Sequence, residues 1–236
     1  MPKTFLKLPS EVRNDIYERV LVLENPISFA GNVGDGSVNA GMLTPGLLLA
    51  SKEVSSEAAS ILYAQNYFNF EDCDSEELDA FLTGIGQDNA SFVRHLIIDF
   101  PDIGCPDKKT VALGLESAAL LRMIRERCRN LITITTTLYS TNMMALRTDA
   151  LDCPNFVTKA IALADSEFRT IPSSLQKIVV KVHEHEPMNW VKKEMEDLGW
   201  TLCQTELLED SESELEDMCY DYDVYDDEYD SDHSEL

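Results

Sequence analysis

Apolar positions recur at helical spacing soon after the chain begins. Val12, Ile16, Val20 and Leu23 form one stripe, Tyr17 and Leu21 widen it, and Arg13, Asn14, Asp15 and Glu18 take the other face. Pro9 suits a first helical turn and Glu11 suits its positive end, so a helix starts here; it stops near Glu24-Asn25-Pro26, where the residue before proline is driven out of helical geometry. Residues 26–46 read as a Gly-rich loop with a short strand at Ile27-Ser28-Phe29. Leu47, Leu48, Leu49 and Ala50 make an apolar turn, and Val54, Ala58, Ile61 and Leu62 restore helical spacing through Tyr63. The aromatic-rich Tyr67-Phe68-Asn69-Phe70 predicts a strand.

Helix and strand then alternate. Ser75-Glu76-Glu77 opens a helix carrying Leu78, Phe81 and Leu82, and Phe92 to Phe100 is a buried strand. A long helix is expected from about Thr110 to Cys128, with Leu113, Leu120, Leu121, Ile124 and Cys128 inward, followed by a Thr- and Ile-rich strand from Leu131 to Leu138. Ala150 to Phe168 holds another helix, Leu175 to Val182 a strand, and Met188 to Leu198 a last helix ended by Gly199 before Trp200-Thr201-Leu202-Cys203. Such alternation predicts a mainly parallel sheet in an α/β fold. The strand spacing is too uneven for a regular solenoid, so a single small α/β layer is expected.

Charge divides the chain. The formal net charge is −24, and residues 206–236 hold 15 acidic residues and no Lys or Arg. This acidity excludes nucleic acid and anionic membrane as partners for want of a basic face. The C-terminal run, with its Tyr-Asp series and few aliphatic residues, is expected to be a disordered acidic tail that serves solubility, its alternative role being the capture of a basic partner. Ser211 and Ser213, each with Glu three residues on, suit an acid-directed kinase. No apolar run spans a bilayer and no signal-peptide core follows the N-terminus, which places the chain in the cytosol or nucleus as an expectation. The six cysteines form no C-x-x-C pair and read as reduced thiols.

The segment from Phe5 to Glu18, with Leu8-Pro9-Ser10-Glu11-Val12-Arg13 and Ile16-Tyr17, is followed by Leu47 to Val54, Glu57-Ala58, Ile61-Leu62-Tyr63, Asn66 and Phe68-Asn69-Phe70. Together with Val93 to Phe100, this set resembles the fungal (ascomycete) F-box-like proteins over roughly residues 5–100. The resemblance implies a helical N-terminal module over 1–72 that holds the Gly-rich loop at 26–46; alternation and charge set an α/β body over 73–205 and the tail over 206–236 as the remaining expected units. It also implies docking on the Skp adaptor of a cullin-RING ubiquitin ligase while the remainder holds a protein substrate. Leu6, Leu8, Pro9, Val12, Ile16, Leu47, Leu48 and Val54 are the candidate partner-binding residues, an apolar platform for a partner helix. The competing reading packs these residues onto the α/β body.

Chemistry is harder to find. Gly31-Asn32-Val33-Gly34-Asp35-Gly36 lacks the following helix and the Lys of a phosphate loop, and reads as a plain loop. His183-Glu184-His185-Glu186 places two imidazoles on one strand face, but no third ligand is evident and a solvated strand end is the better reading. There is no Gly-x-Ser-x-Gly elbow, and His95 forms no readable triad, which suits a packing role. Arg122, Arg125, Arg127 and Arg129 complement the end of a helix rather than a ligand. With no cofactor or metal set legible, the residues point to a non-enzymatic protein-interaction protein. The narrower expectation is a ubiquitin-ligase substrate receptor; the alternative is a regulatory or structural binding protein that uses its acidic tail.

Overall fold

The computed structural model describes residues 5–29, 38–39, 46–104, 106, 110–137, 156–171, 174–182 and 187–204. The Gly-rich string at 31–36, the His-Glu pairs at 183–186 and the acidic run at 206–236 lie outside the described residues.

A 3-10 turn at Phe5–Lys7 precedes α1 (Ser10–Leu21), and β1 (Ile27–Ser28) and β2 (Val38–Asn39) follow. Next come α2 (Lys52–Gln65), β3 (Tyr67–Phe70), α3 (Ser75–Ile85), α4 (Gln87–Ala90) and β4 (His95–Ile98). A small hairpin of β5 (Ile103–Gly104) and β6 (Ala112–Leu113) leads to α5 (Leu115–Arg127) and β7 (Thr133–Thr137). The chain then runs through α6 (Phe156–Thr170), β8 (Lys177–Val182), α7 (Asn189–Asp197) and β9 (Thr201–Gln204).

The α/β fold and parallel sheet expected from the alternation are present. Seven strands form one sheet in the order β2-β1-β3-β4-β7-β8-β9, and every pairing in it is parallel. Apart from the β1–β2 exchange at one edge, spatial order follows chain order. The period-2 alternation of strands sorts the side chains. Phe68, Leu96, Ile134 and Ile178 are register partners on one face, and all four join the main core with Leu78 and Leu82 of α3, Leu121 and Ile124 of α5, Phe168 of α6 and Met195 of α7. Those four helices therefore bury their apolar sides against the same sheet face. The opposite row, Asn69, Ile97, Thr135 and Val179, is also buried, yet Ile97 and Val179 join neither hydrophobic cluster.

Two sequence expectations are corrected. The helix expected from Thr110 begins only at Leu115, because Ala112 and Leu113 pair with Gly104 and Ile103 as a hairpin. Ile103 is fully buried and the Gly114 N–H donates to the Asp102 carbonyl at 2.7 Å, so tertiary burial wins over local helical spacing. The apolar stripe of α1 is also split. Tyr17 and Leu21 are buried, while Val12 and Val20 stay 43% and 51% exposed. Arg13, assigned to the polar face, turns inward to a carboxylate on α2.

Local signals explain most boundaries. Asp74 and Glu77 form a reciprocal capping box that starts α3: the Glu77 N–H donates to Asp74 Oδ1 at 2.9 Å and the Asp74 N–H to Glu77 Oε2 at 3.0 Å. Ser51 caps α2 by accepting from the Val54 N–H at 3.3 Å. Gly199 has φ 81°, the left-handed geometry that lets the chain leave α7. No helix among the described residues is long and apolar enough to cross a membrane.

Candidate functional site

Helices α1 and α2 pack side by side, running in the same direction, around a small core of Tyr17, Leu21, Val54, Ala58, Ile61 and Leu62. The polar residues of the N-terminal sequence pattern hold this helix pair together. Arg13 Nε donates to Glu57 Oε2 at 2.8 Å, a second guanidinium nitrogen reaches Glu57 Oε1, and Nη1 donates to the Leu8 carbonyl at 2.7 Å. The Tyr17 hydroxyl donates to Glu57 Oε2 at 3.0 Å. The guanidinium hydrogen bond holds the Glu57 carboxyl below its ordinary value, and burial followed by the hydrogen bond to Glu57 pushes the Tyr17 phenol up to about 12. At the far end, buried Asn66 closes both helices. Its Nδ2 donates to the Leu21 and Leu62 carbonyls at 2.8 Å each, and its Oδ1 accepts from the Leu23 N–H at 2.8 Å. These contacts satisfy carbonyls that a helix C-terminus otherwise leaves open.

The eight candidate partner-binding residues fall into three environments. Leu6, Pro9 and Val12 are exposed; Leu8 and Ile16 are half-buried. Leu47 and Leu48 are half-buried against the α1–α2 core, and Val54 lies inside it. Val20, outside that set, extends the open stripe. Val12, Ile16 and Val20 are spaced by four residues and therefore lie one above another on α1.

A second feature sits where parallel sheets commonly bind ligands, outside the carboxyl ends of their strands. A cleft of about 390 Å³ lies beyond the ends of β3 and β4, under the start of α5. Its floor includes Ile98, Phe100, Leu120 and Leu121, and its rim carries Asp72, Asp74, Asp99, Asp102 and Glu116. The Asp72 N–H donates to Asp99 Oδ2 at 3.0 Å, and Asp72 has φ 60°, unusual for a residue with a side chain. Burial holds the Asp99 carboxyl above its ordinary range, and the neighbouring Asp72 charge adds to this against the pull of that N–H. Ser75 donates to Glu116 Oε2 at 2.7 Å across the mouth. Cys73, also in the lining, is pushed up to about 12, chiefly by burial, and stays a thiol at neutral pH. An adjoining groove of about 560 Å³ shares Ser75 and runs between α3 and α5 past Ala80, Gly84, Ala119 and Met123. Spacing arguments did not find this cleft, since its acids come from three separate stretches of chain, 72–74, 99–102 and residue 116.

The other sequence candidates have structural surroundings. His95 stacks on Tyr67 with ring centroids 4.6 Å apart, and burial, with Arg94 adding to it, lowers its pKa. Arg127 pairs with Asp79 at 3.0 Å and donates to Thr83 at 3.0 Å, tying α5 to α3. Among the described residues no group of three or more His, Cys, Asp or Glu converges as metal ligands. Comparison with protein-family models, curated proteins and solved structures returns no match.

Proposed function

We propose that this chain is a non-enzymatic protein-interaction protein whose α1–α2 helix pair docks on the Skp adaptor of a cullin-RING ubiquitin ligase, the remainder holding a protein substrate. The observation that carries it is an inversion on α1: Arg13 is drawn inward, its side chain 12% exposed, while Val12 and Val20 face outward. With Leu6 nearby in sequence and also exposed, they offer an apolar strip that a partner helix can cover. The resemblance of residues 5–100 to F-box-like proteins supports the adaptor as that partner. Its polar residues Arg13, Tyr17, Glu57 and Asn66 brace the helix pair, which leaves the strip free for contact.

The test is calorimetry of the full chain against purified Skp adaptor. Micromolar or tighter binding is expected, with loss in a Val12→Glu/Val20→Glu variant that keeps its thermal midpoint. Absence of binding by the unaltered chain sinks the ligase reading.

A further inference from the structure

The cleft and the α3–α5 groove share Ser75, which donates to Glu116, and form a two-part channel with an apolar floor and an acidic rim. Among the described lining residues five carboxylates edge the cleft and two, Glu76 and Asp79, edge the groove; Arg122 is the cation in the lining, and Arg127 already pairs with Asp79. We propose that this channel binds an extended, Lys- or Arg-bearing segment of a partner protein, with apolar side chains seated on the floor and cations along the rim.

The dimensions fit a short segment. From Ser75 to Gly84 the helix rises about 14 Å, at ~1.5 Å per residue, which matches about four extended residues at ~3.4 Å each. The carboxylates do not converge on one point among the described residues, an arrangement that suits several separate cations better than one metal ion. Charge also selects the occupant. The chain's own C-terminal run has no Lys or Arg over 206–236, and a second copy, although it carries 19 Lys and Arg, brings a net charge of −24 that repels it from an acidic rim. The inference stands apart from the adaptor reading, because α1 contributes no residue to the channel.

The test uses the full chain and three labelled pentapeptides: Lys-Leu-Arg-Leu-Lys, its Glu-Leu-Glu-Leu-Glu counterpart and Lys-Ser-Arg-Ser-Lys. The first is expected to bind with micromolar affinity that weakens at least tenfold or so between low and high salt, and the other two at least about tenfold more weakly. Two variants guard against misfolding as an explanation, with circular-dichroism melts as the check. Glu76→Lys/Glu116→Lys reverses exposed rim charges, and Ala119→Trp fills the groove without changing charge; each is expected to cost about tenfold in affinity or more. A photo-crosslinking version of the first peptide is expected to mark α3 and α5. Crosslinks confined to residues 206–236, equal binding of the Ser-containing peptide, or no binding of the first peptide would overturn the proposal.

Discussion

Arg13 on α1 and Glu57 on α2, 44 residues apart in the chain, meet in a two-pronged ion pair that locks the two helices together. Because the folded carboxyl of Glu57 titrates below its ordinary 4.5, the pair stabilises the fold above that pH and the contribution is lost as pH falls through the lowered value. Glu57→Gln is therefore expected to lower the melting temperature at pH 7 and to flatten its dependence on pH below about 4.5. Thermal melts from pH 3 to 7 check this, and an unchanged acid slope would contradict it.

Tyr17 supplies the opposite sign. Its phenol is raised from 10.0 to about 12, so the native state keeps a proton that the unfolded state gives up. Stability is complete below pH 10 and declines as pH rises toward 12. Tyr17→Phe is expected to cost about 1 kcal/mol at neutral pH and to remove this alkaline component, read by urea unfolding at two pH values.

Asn66 joins three backbone groups where α1 and α2 end side by side. Asn66→Ala leaves the Leu23 N–H and two carbonyls in a buried setting. Urea unfolding is expected to show a loss of about 3 kcal/mol, whereas a loss under about 0.5 kcal/mol would mean that water replaces the amide.

At the opposite end of the sheet, Trp200 Nε1 donates to Asp165 Oδ1 at 2.8 Å while Arg169 Nε donates to Oδ2 at 2.8 Å. Trp200→Phe deletes a charge-assisted hydrogen bond and is expected to cost about 2 kcal/mol. Emission should also shift to longer wavelength, since Trp190, the remaining indole, is exposed and Trp200 is buried.

Asp99 runs the other way. Its folded carboxyl lies above the ordinary 3.8, so ionisation works against the fold as pH rises through that interval. Asp99→Asn keeps an oxygen for the Asp72 N–H and is expected to raise the melting temperature slightly at pH 7, with the gain absent at pH 3. A fall at pH 7 would show that the charge itself is needed.

Local pattern was enough to locate most helices and strands. Capping at Asp74 and Ser51, the stop at Gly199, and the β-branched run at 133–137 each act within a few residues, so their signal survives without the fold. The pattern also foretold a parallel α/β sheet, because helix alternates with strand along the chain. It did not foretell the β5–β6 hairpin, whose Ile103 is held by a core assembled from distant elements. Nor did it say which side of α1 faces inward. Helical spacing defines an apolar stripe but not its partner, and here Glu57, 44 residues on from Arg13, rotates the helix so that a cation goes in and two valines stay out. The acidic channel belongs to the same class. Its carboxylates stand on the loop after β3 and the α3 that continues it, on the loop after β4, and on α5, and the fold brings those three pieces of chain side by side.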